Sequence, residues 1–538
     1  MKTSLASMLT VCCLSSAAYA NTDISNFSLP YNAKLNKAVE GTVVVDLATE
    51  SKVSVQKSFY GADTNGFSVL PKPTHVNPLS LELVKFGGNY HSVYNWELNL
   101  YLQDQKGIVP VYSPLADRIQ YVQNAYKATP MFQVNMLGMQ PDHTEEGFIR
   151  MRNTADEKHA ANVIKFINGR QKLGLQHILM GNEPFHQEET HGVANPSADE
   201  YIEKYIRYAV ALREAQESIS GNPNDIKLWG PEISTGWTLW QTNHPRDCNV
   251  DWNVPSGMVC SYGNGKFTEF IPYFLSKIAE FEKDGQRNPR GYKMLDYLSW
   301  HYYPLFRSEF GDNASFIMKD GKQNVEGMLE SVNLWTKLNY INKYDSASPR
   351  GVNPKIIDRY TQWRNKYYPT AKLAVTEFGV DSVPNIEYHP IVRPLYLADL
   401  MARIADAGVN VFINSFLQGS FKSDPWGMIN NEQRTHLYFI YSLFSNNYLG
   451  KVLLTKDSFG DQVNTYSVKT ATGTNLILVN KTKVAKNTAI QLEKGSTRAQ
   501  ALEISLPAWS TTVLSIPNNK GPIKAQQYGA KEMGIPVQ

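Results

Sequence analysis

The chain has 538 residues, 42% of them hydrophobic and 19% charged, an ordinary globular composition long enough for one large α/β domain and a smaller companion. Its 53 basic residues nearly cancel its 50 acidic ones, and a formal charge of +3 carries no electrostatic footprint of a nucleic-acid binder. Beyond the N-terminal segment no apolar run reaches the length of a bilayer span, so neither nucleic acid nor membrane is expected as a partner.

The chain opens with Met1-Lys2-Thr3, an apolar stretch from Leu5 to Leu14, and small residues ending in Ala18-Tyr19-Ala20. A charged start, a short apolar region and an A-x-A site predict a signal peptide over residues 1–20, cleaved after Ala20, and a secreted or periplasmic product. Cys12 and Cys13 lie inside it, and Val11 before Cys12 disfavours lipidation. Cys248 and Cys260 remain, in a segment rich in Pro, Gly and Asn, and an oxidising compartment predicts a disulfide between them. Two thiols alone make a poor metal site.

Within residues 21–58, the stretches 41–47 and 53–55 alternate like antiparallel strands and are expected to join a later β-domain. Residues 59–444 then carry a countable series of apolar strand-like runs, at 59–63, 81–88, 130–136, 177–184, 226–233, 297–304, 372–379 and 409–419. Helical patterns such as 154–173 and 198–219 separate them. Eight β/α units predict a (β/α)8 TIM barrel with long loops after its strands. Over 445–516 the texture changes to short alternating strands divided by turn residues, read as a small C-terminal β-sandwich. Residues 517–538, with Asn518-Asn519-Lys520-Gly521-Pro522 and no amphipathic period, are read as a tail on the surface.

Two of the barrel strands end alike. His177-Ile178-Leu179-Met180-Gly181-Asn182-Glu183-Pro184 and Lys372-Leu373-Ala374-Val375-Thr376-Glu377-Phe378-Gly379 each deliver a glutamate to the C-terminal mouth, on strands four and seven, opposite one another. An Asn-Glu-Pro by itself is as readily a turn; the pairing is what points to chemistry. Two carboxylates without a metal or nucleotide motif indicate glycoside hydrolysis, one group as proton donor and the other as nucleophile or base, with no cofactor.

These residues resemble the clan A glycoside hydrolases, in which an Asn-Glu-Pro ends barrel strand four and a glutamate ends strand seven. The resemblance covers the barrel and the appended sandwich and implies a retaining enzyme. In it Glu183 is the acid/base, Glu377 the nucleophile, and Asn182 the amide that holds the sugar 2-hydroxyl. Within the clan, Lys85-Phe86-Gly87-Gly88-Asn89 with Tyr94-Asn95-Trp96, and Asn182 to His186 with Thr190-His191, are similar to family 86 β-agarases and porphyranases and, more distantly, to family 44 endoglucanases. Lys85 stands where that pattern has arginine. Retention requires carboxyl groups about 5 to 5.5 Å apart, which opposed strand ends can provide.

Other strand-end groups are candidates for substrate contact. His301 and Tyr303, in Trp300-His301-Tyr302-Tyr303 after strand six, are expected to touch the nucleophile or the sugar, with a neighbouring aromatic packing outward because alternate residues face inward. Trp237, Trp240 and Trp426 lie in loops where indoles stack sugars or anchor the loop. Asn89 also sits at a strand end. Glu232 is either a third carboxylate tuning the pair or a solvated turn residue. His186 and His191 lack a third ligand at zinc spacing. Together these features predict an exported endo-β-glycosidase acting on a cell-wall polysaccharide. A red-algal galactan is the first expectation, recognised by Arg246, Arg307 and Lys422 if sulfated. A β-1,4-glucan is the second, and a non-catalytic polysaccharide-binding barrel is the rival from another class.

Overall fold

The computed structural model describes residues 23–64, 66–103, 106–184, 194–234, 244–250, 258–304, 318–319, 322–336, 355–380, 388–419 and 427–537. Eight parallel strands close into a barrel: Tyr60–Asp63, Leu83–Phe86, Thr129–Val134, His177–Met180, Lys227–Ser234, Tyr297–Tyr302, Lys372–Phe378 and Val411–Asn414. They are short and apolar because helices cover their outer face while the barrel interior is filled by their own side chains.

The N-terminal end of that interior is a packed floor. Leu83, Met131, Leu179, Trp229, Ala374, Val411 and Ile413 form one buried cluster there. Trp229 stacks on Tyr297 with ring centroids 3.7 Å apart, and its indole N–H donates to His177 Nδ1 at 3.1 Å. Burial pushes the His177 imidazole down to about 4, so at neutral pH it is the uncharged acceptor this bond needs. The strands therefore have no opening at that end, and their polar residues collect at the other.

Outside the barrel the helices bury their apolar faces against the strands. The longest, Ala198–Ser220, starts in a reciprocal capping box between Ser197 and Glu200 and stops at Gly221, whose φ of 76° lets the chain turn away. Trp300 and Tyr302 of strand six point outward into this layer, against Tyr360 and Trp335. No described helix is long and apolar enough to cross a membrane.

The second unit is one nine-stranded sheet folded over a core of its own. It includes Ser25–Leu29 and Gly41–Val55 from the N-terminus, and Val43, Val45, Leu478, Ile490, Leu502, Leu514 and Ile523 meet inside it. The surface tail expected over 517–538 is not what forms. Ile523–Gly529 is a strand paired antiparallel to Ser510–Pro517 on one side and to Ser25–Leu29 on the other, with Tyr528, Ala530 and Met533 buried against the barrel layer. Its apolar residues are diluted by Lys524, Gln526 and Gln527, which hides the alternation, and the Asn-Asn-Lys-Gly-Pro run is the connection that precedes it.

Sheet and barrel are joined by a buried ionic cluster. Asp399, on the helix Val392–Asp406, accepts from Arg403 Nε at 3.0 Å, Lys481 Nζ at 2.9 Å, Asn464 Nδ2 at 2.7 Å to each oxygen, and the Tyr466 hydroxyl. Burial opposes its ionisation, but the two cations hold its carboxyl well below the usual range.

Candidate active site

The barrel's open end is built from strand ends that break the regular pleat. Along strand two, Leu83 belongs to the floor and Lys85, two residues on, faces inward one layer higher. Gly87 makes room for it: a Cβ there would lie 2.5 Å from Lys85 Cε and 3.0 Å from Gln133 Oε1, and Lys85 is not free to move away. After strand four the chain passes through Gly181 at φ 80° and Glu183 at φ 31°, both in the left-handed region, which turns the Glu183 side chain over the mouth.

Strands five and seven each carry one residue more than strand six opposite them. Pro231 and Ile233 face Ser299 and Trp300, leaving Glu232 as the extra residue, at φ 54°; Val375 and Glu377 face Trp300 and His301, leaving Thr376. A bulge re-aims the side chains around it. Here the two bulged residues meet, the Thr376 hydroxyl donating to Glu232 Oε1 at 3.1 Å.

The result is a compact network of charged groups. Glu377 receives Lys85 Nζ at 2.5 Å on Oε1 and the Tyr303 hydroxyl at 2.6 Å on Oε2, with His301 Nδ1 3.4 Å from Oε2. Lys85 also lies 3.3 Å from Asp63 and 3.8 Å from Glu232. The His301 ring sits between two further carboxylates, Nδ1 at 2.8 Å from Glu183 Oε1 and Nε2 at 3.0 Å from Glu232 Oε2. One atom each from Glu183, His301 and Glu377 can be chosen so that all lie within 4.8 Å of one another. The two strand-end carboxylates thus face each other at the close spacing that a covalent double displacement requires.

The electrostatics fix the charge of Glu377. Burial works against a charged Glu377, but His301, Lys85 and the hydrogen bonds from Lys85 and Tyr303 outweigh it and hold the carboxyl down to about 2. Burial likewise disfavours an imidazolium at His301, yet Glu377 and the hydrogen bonds to Glu183 and Glu232 push it up to about 10. Burial and the neighbouring Glu377 keep the Tyr303 phenol protonated, so it donates. Glu377 is a fixed anion, whereas the Glu183 side chain, 13% exposed, is the one within reach of solvent and of a leaving group. The Glu183–His301–Glu377 spacing could also suit a cation, but an ammonium against Glu377 and an imidazolium between the carboxylates already fill that electrostatic role.

Of the residues read from the sequence, Glu183, Glu377, His301 and Tyr303 come together in this network. Asn182 lies beside it, buried, with its side-chain oxygen lacking a hydrogen-bond partner among the described residues. Asn89 opens the short turn Asn89–Val93, is exposed, and takes no part in the described network. Glu232 is fully buried, which removes the solvated-turn reading. Arg246 is 71% exposed and 3.5 Å from Glu200, an ordinary surface pair. Trp237, Trp240, Trp426, His186, His191, Arg307 and Lys422 lie outside the described residues. Cys248 and Cys260 are bonded, directly opposite each other in a two-stranded ribbon. What the sequence reading missed is Lys85 as the counter-ion of Glu377. Its signal was a lone lysine in a strand otherwise buried on both faces.

Comparison with known proteins agrees with this fold. The sequence pattern described as Glycoside hydrolase family 44 matches residues 128–305, which contain strands three to six and Glu183. Among solved structures, a bifunctional glucanase-xylanase from a metagenome library superposes with a TM-score of 0.61 at 15% identity, covering 92% of this chain and 100% of its own. A Paenibacillus polymyxa xyloglucanase of family 44 gives 0.61 at 14%, covering 91% of this chain and 100% of its own. A family 51 α-L-arabinofuranosidase from Bifidobacterium longum gives 0.56 at 13%, again over 91% and 100%. No curated protein sequence matches significantly. The chain thus has the fold of these glycoside hydrolases, and its middle third carries the sequence pattern of one of their families. The sequence similarity over residues 128–305 is to family 44, and the family 86 likeness is not shown.

Proposed function

We propose that the protein is a retaining endo-β-glycosidase acting on a plant β-1,4-glucan of the cellulose or xyloglucan type. The observation that carries the retaining mechanism is the opposed pair Glu183 and Glu377, close together, with Glu377 held as an anion by Lys85 and His301. Glu377, ionised at any working pH, attacks the anomeric carbon while Glu183 protonates the departing oxygen; Glu183 then takes a proton from the water that releases the glycosyl group. Asn182, with an unpaired buried acceptor next to Glu183, suits a sugar hydroxyl as its donor.

The substrate choice rests on the family 44 match and on the activities named for the two glucan-active neighbours, which favour β-glucan over the red-algal galactan first expected. Of the three cations expected to greet a sulfate, the one described, Arg246, is engaged on the surface by Glu200. The exported location drawn from the first twenty residues belongs to this proposal too, and suits a polymer that does not enter cells. The test is product analysis on xyloglucan, carboxymethylcellulose, xylan, agarose, porphyran and carrageenan side by side, with proton NMR of the first-formed anomer. Cleavage of a β-glucan with the β-anomer appearing first is expected. Activity confined to the galactans would overturn the substrate, and an α-anomer would overturn retention.

A further inference from the structure

The reaction as drawn makes no use of Glu232, yet this residue reaches Glu183 by two separate routes. Through the backbone, the Glu183 N–H donates to the Glu232 carbonyl at 2.9 Å. Through side chains, Glu232 Oε2 lies 3.0 Å from His301 Nε2 while His301 Nδ1 lies 2.8 Å from Glu183 Oε1. An imidazole ring with a carboxylate on each nitrogen is a proton-holding bridge. The bridge is fixed at its far end, because Glu232 is wholly buried, bonded to Thr376, and placed by a bulge at a positive φ that a regular strand would not need. A left-handed conformation at a non-glycine residue persists only where the surroundings over-determine it.

We propose that Glu232 is a positioning residue for the acid step: its buried charge, acting through the His301 ring, keeps the transferable proton on the Glu183–His301 pair. The proposal rests on Glu183 being the acid/base. In the first step the C–O bond breaks, its electrons go to the leaving oxygen, and that oxygen takes its proton from Glu183 as Glu377 bonds to the anomeric carbon. The Glu183 carboxylate so formed is held by the ring's Nδ1–H. In the second step water bonds to the anomeric carbon, its proton goes to Glu183, and the bond to Glu377 breaks, so the pair ends with the protons it began with. Among the described residues, the groups that face the ring are Glu183, Glu232 and Glu377, with Lys85 beyond, itself paired to Asp63, and Tyr303 just past the end of the ring's own strand. Removing one negative charge from beside the protonated ring and the acid makes their protons leave more readily.

The variant Glu232→Gln removes the charge and keeps the shape and an acceptor. The pH profile of kcat/KM is measured for wild type and variant on a xyloglucan oligosaccharide and on a 2,4-dinitrophenyl β-cellobioside, whose leaving group needs no proton. On the oligosaccharide the alkaline limb should move to lower pH by about one unit or more, so that the variant's loss is about 10-fold greater at pH 8 than at pH 5; on the activated glycoside the limb should stay. An even loss at every pH would show a merely structural residue and overturn the proposal. Should the variant fail to fold, imidazole ¹⁵N shifts of His301 in the wild type decide instead. Both ring nitrogens protonated at pH 7 is expected, and a neutral ring overturns it. A wild type that hydrolyses neither substrate would overturn the glycosidase reading itself, a result distinct from an active enzyme with an unmoved limb.

Discussion

The molecule holds two buried ionic clusters whose difference separates a joint from the proposed reaction centre. At the junction of sheet and barrel, Asp399 is matched by Arg403 and Lys481, with Asp461 near both cations, and its oxygens are filled by Asn464 and Tyr466. At the barrel mouth, Asp63, Glu183, Glu232 and Glu377 share Lys85 and His301, an excess of acid among the described residues. The first cluster is balanced and closed. The second is unbalanced and open at Glu183. A balanced cluster fixes one arrangement, whereas surplus acid around a nucleophile leaves a proton to be moved and a charge to be met by an oxocarbenium-like transition state.

Breaking each cluster at its central carboxylate gives the sharpest contrast. Glu377→Ala should lower turnover by at least about 10⁴-fold, with azide restoring part of it as a glycosyl azide. Its melting temperature should hold or rise, because Lys85 keeps Asp63 and Glu232 as partners. Near-normal hydrolysis by this variant would remove Glu377 from the mechanism. Asp399→Ala should do the reverse, costing about 3–5 kcal/mol of stability by leaving buried cations unmatched. Activity per folded molecule should be unchanged. Since Asp399 is held below the usual carboxylate range, its contribution is full above about pH 4 and fades as the pH falls further. Denaturant melts at pH 7 and pH 3 should show the difference shrinking in acid, and a difference that grows there would contradict the assignment.

Smaller changes test the surplus itself. Lys85→Met removes the ammonium that holds Glu377 ionised, and the nucleophile should then take up a proton more easily. The acidic limb of kcat/KM should move to higher pH, with a loss of about 10²–10³-fold at neutral pH. An unshifted acidic limb would mean that His301 and Tyr303 suffice. The smallest effect belongs to neither cluster. Reducing Cys248–Cys260, or replacing both by Ser, opens a loop with a sequence separation of 12 and should cost at most about 3 kcal/mol, read from the change in melting temperature.

What the sequence determined by itself is what local pattern can carry. The run lengths and spacing of apolar segments marked eight strands at the positions where the barrel has them, because a strand buried on both faces must be apolar almost throughout. The two glutamates were legible for the same reason, as abrupt charges ending such runs. Tertiary structure decided what depends on neighbours distant in the chain. Lys85 finds Glu377 292 residues away, and Glu232 finds His301 across a bulge that moves one residue out of register. Periodicity alone cannot place either residue, since a single extra residue re-aims every side chain after it. The C-terminal strand was missed on the same ground. Ile523–Gly529 has only a short apolar alternation, Ile523 and Ala525, and is placed by pairing on both edges, and an edge is something only the folded sheet supplies.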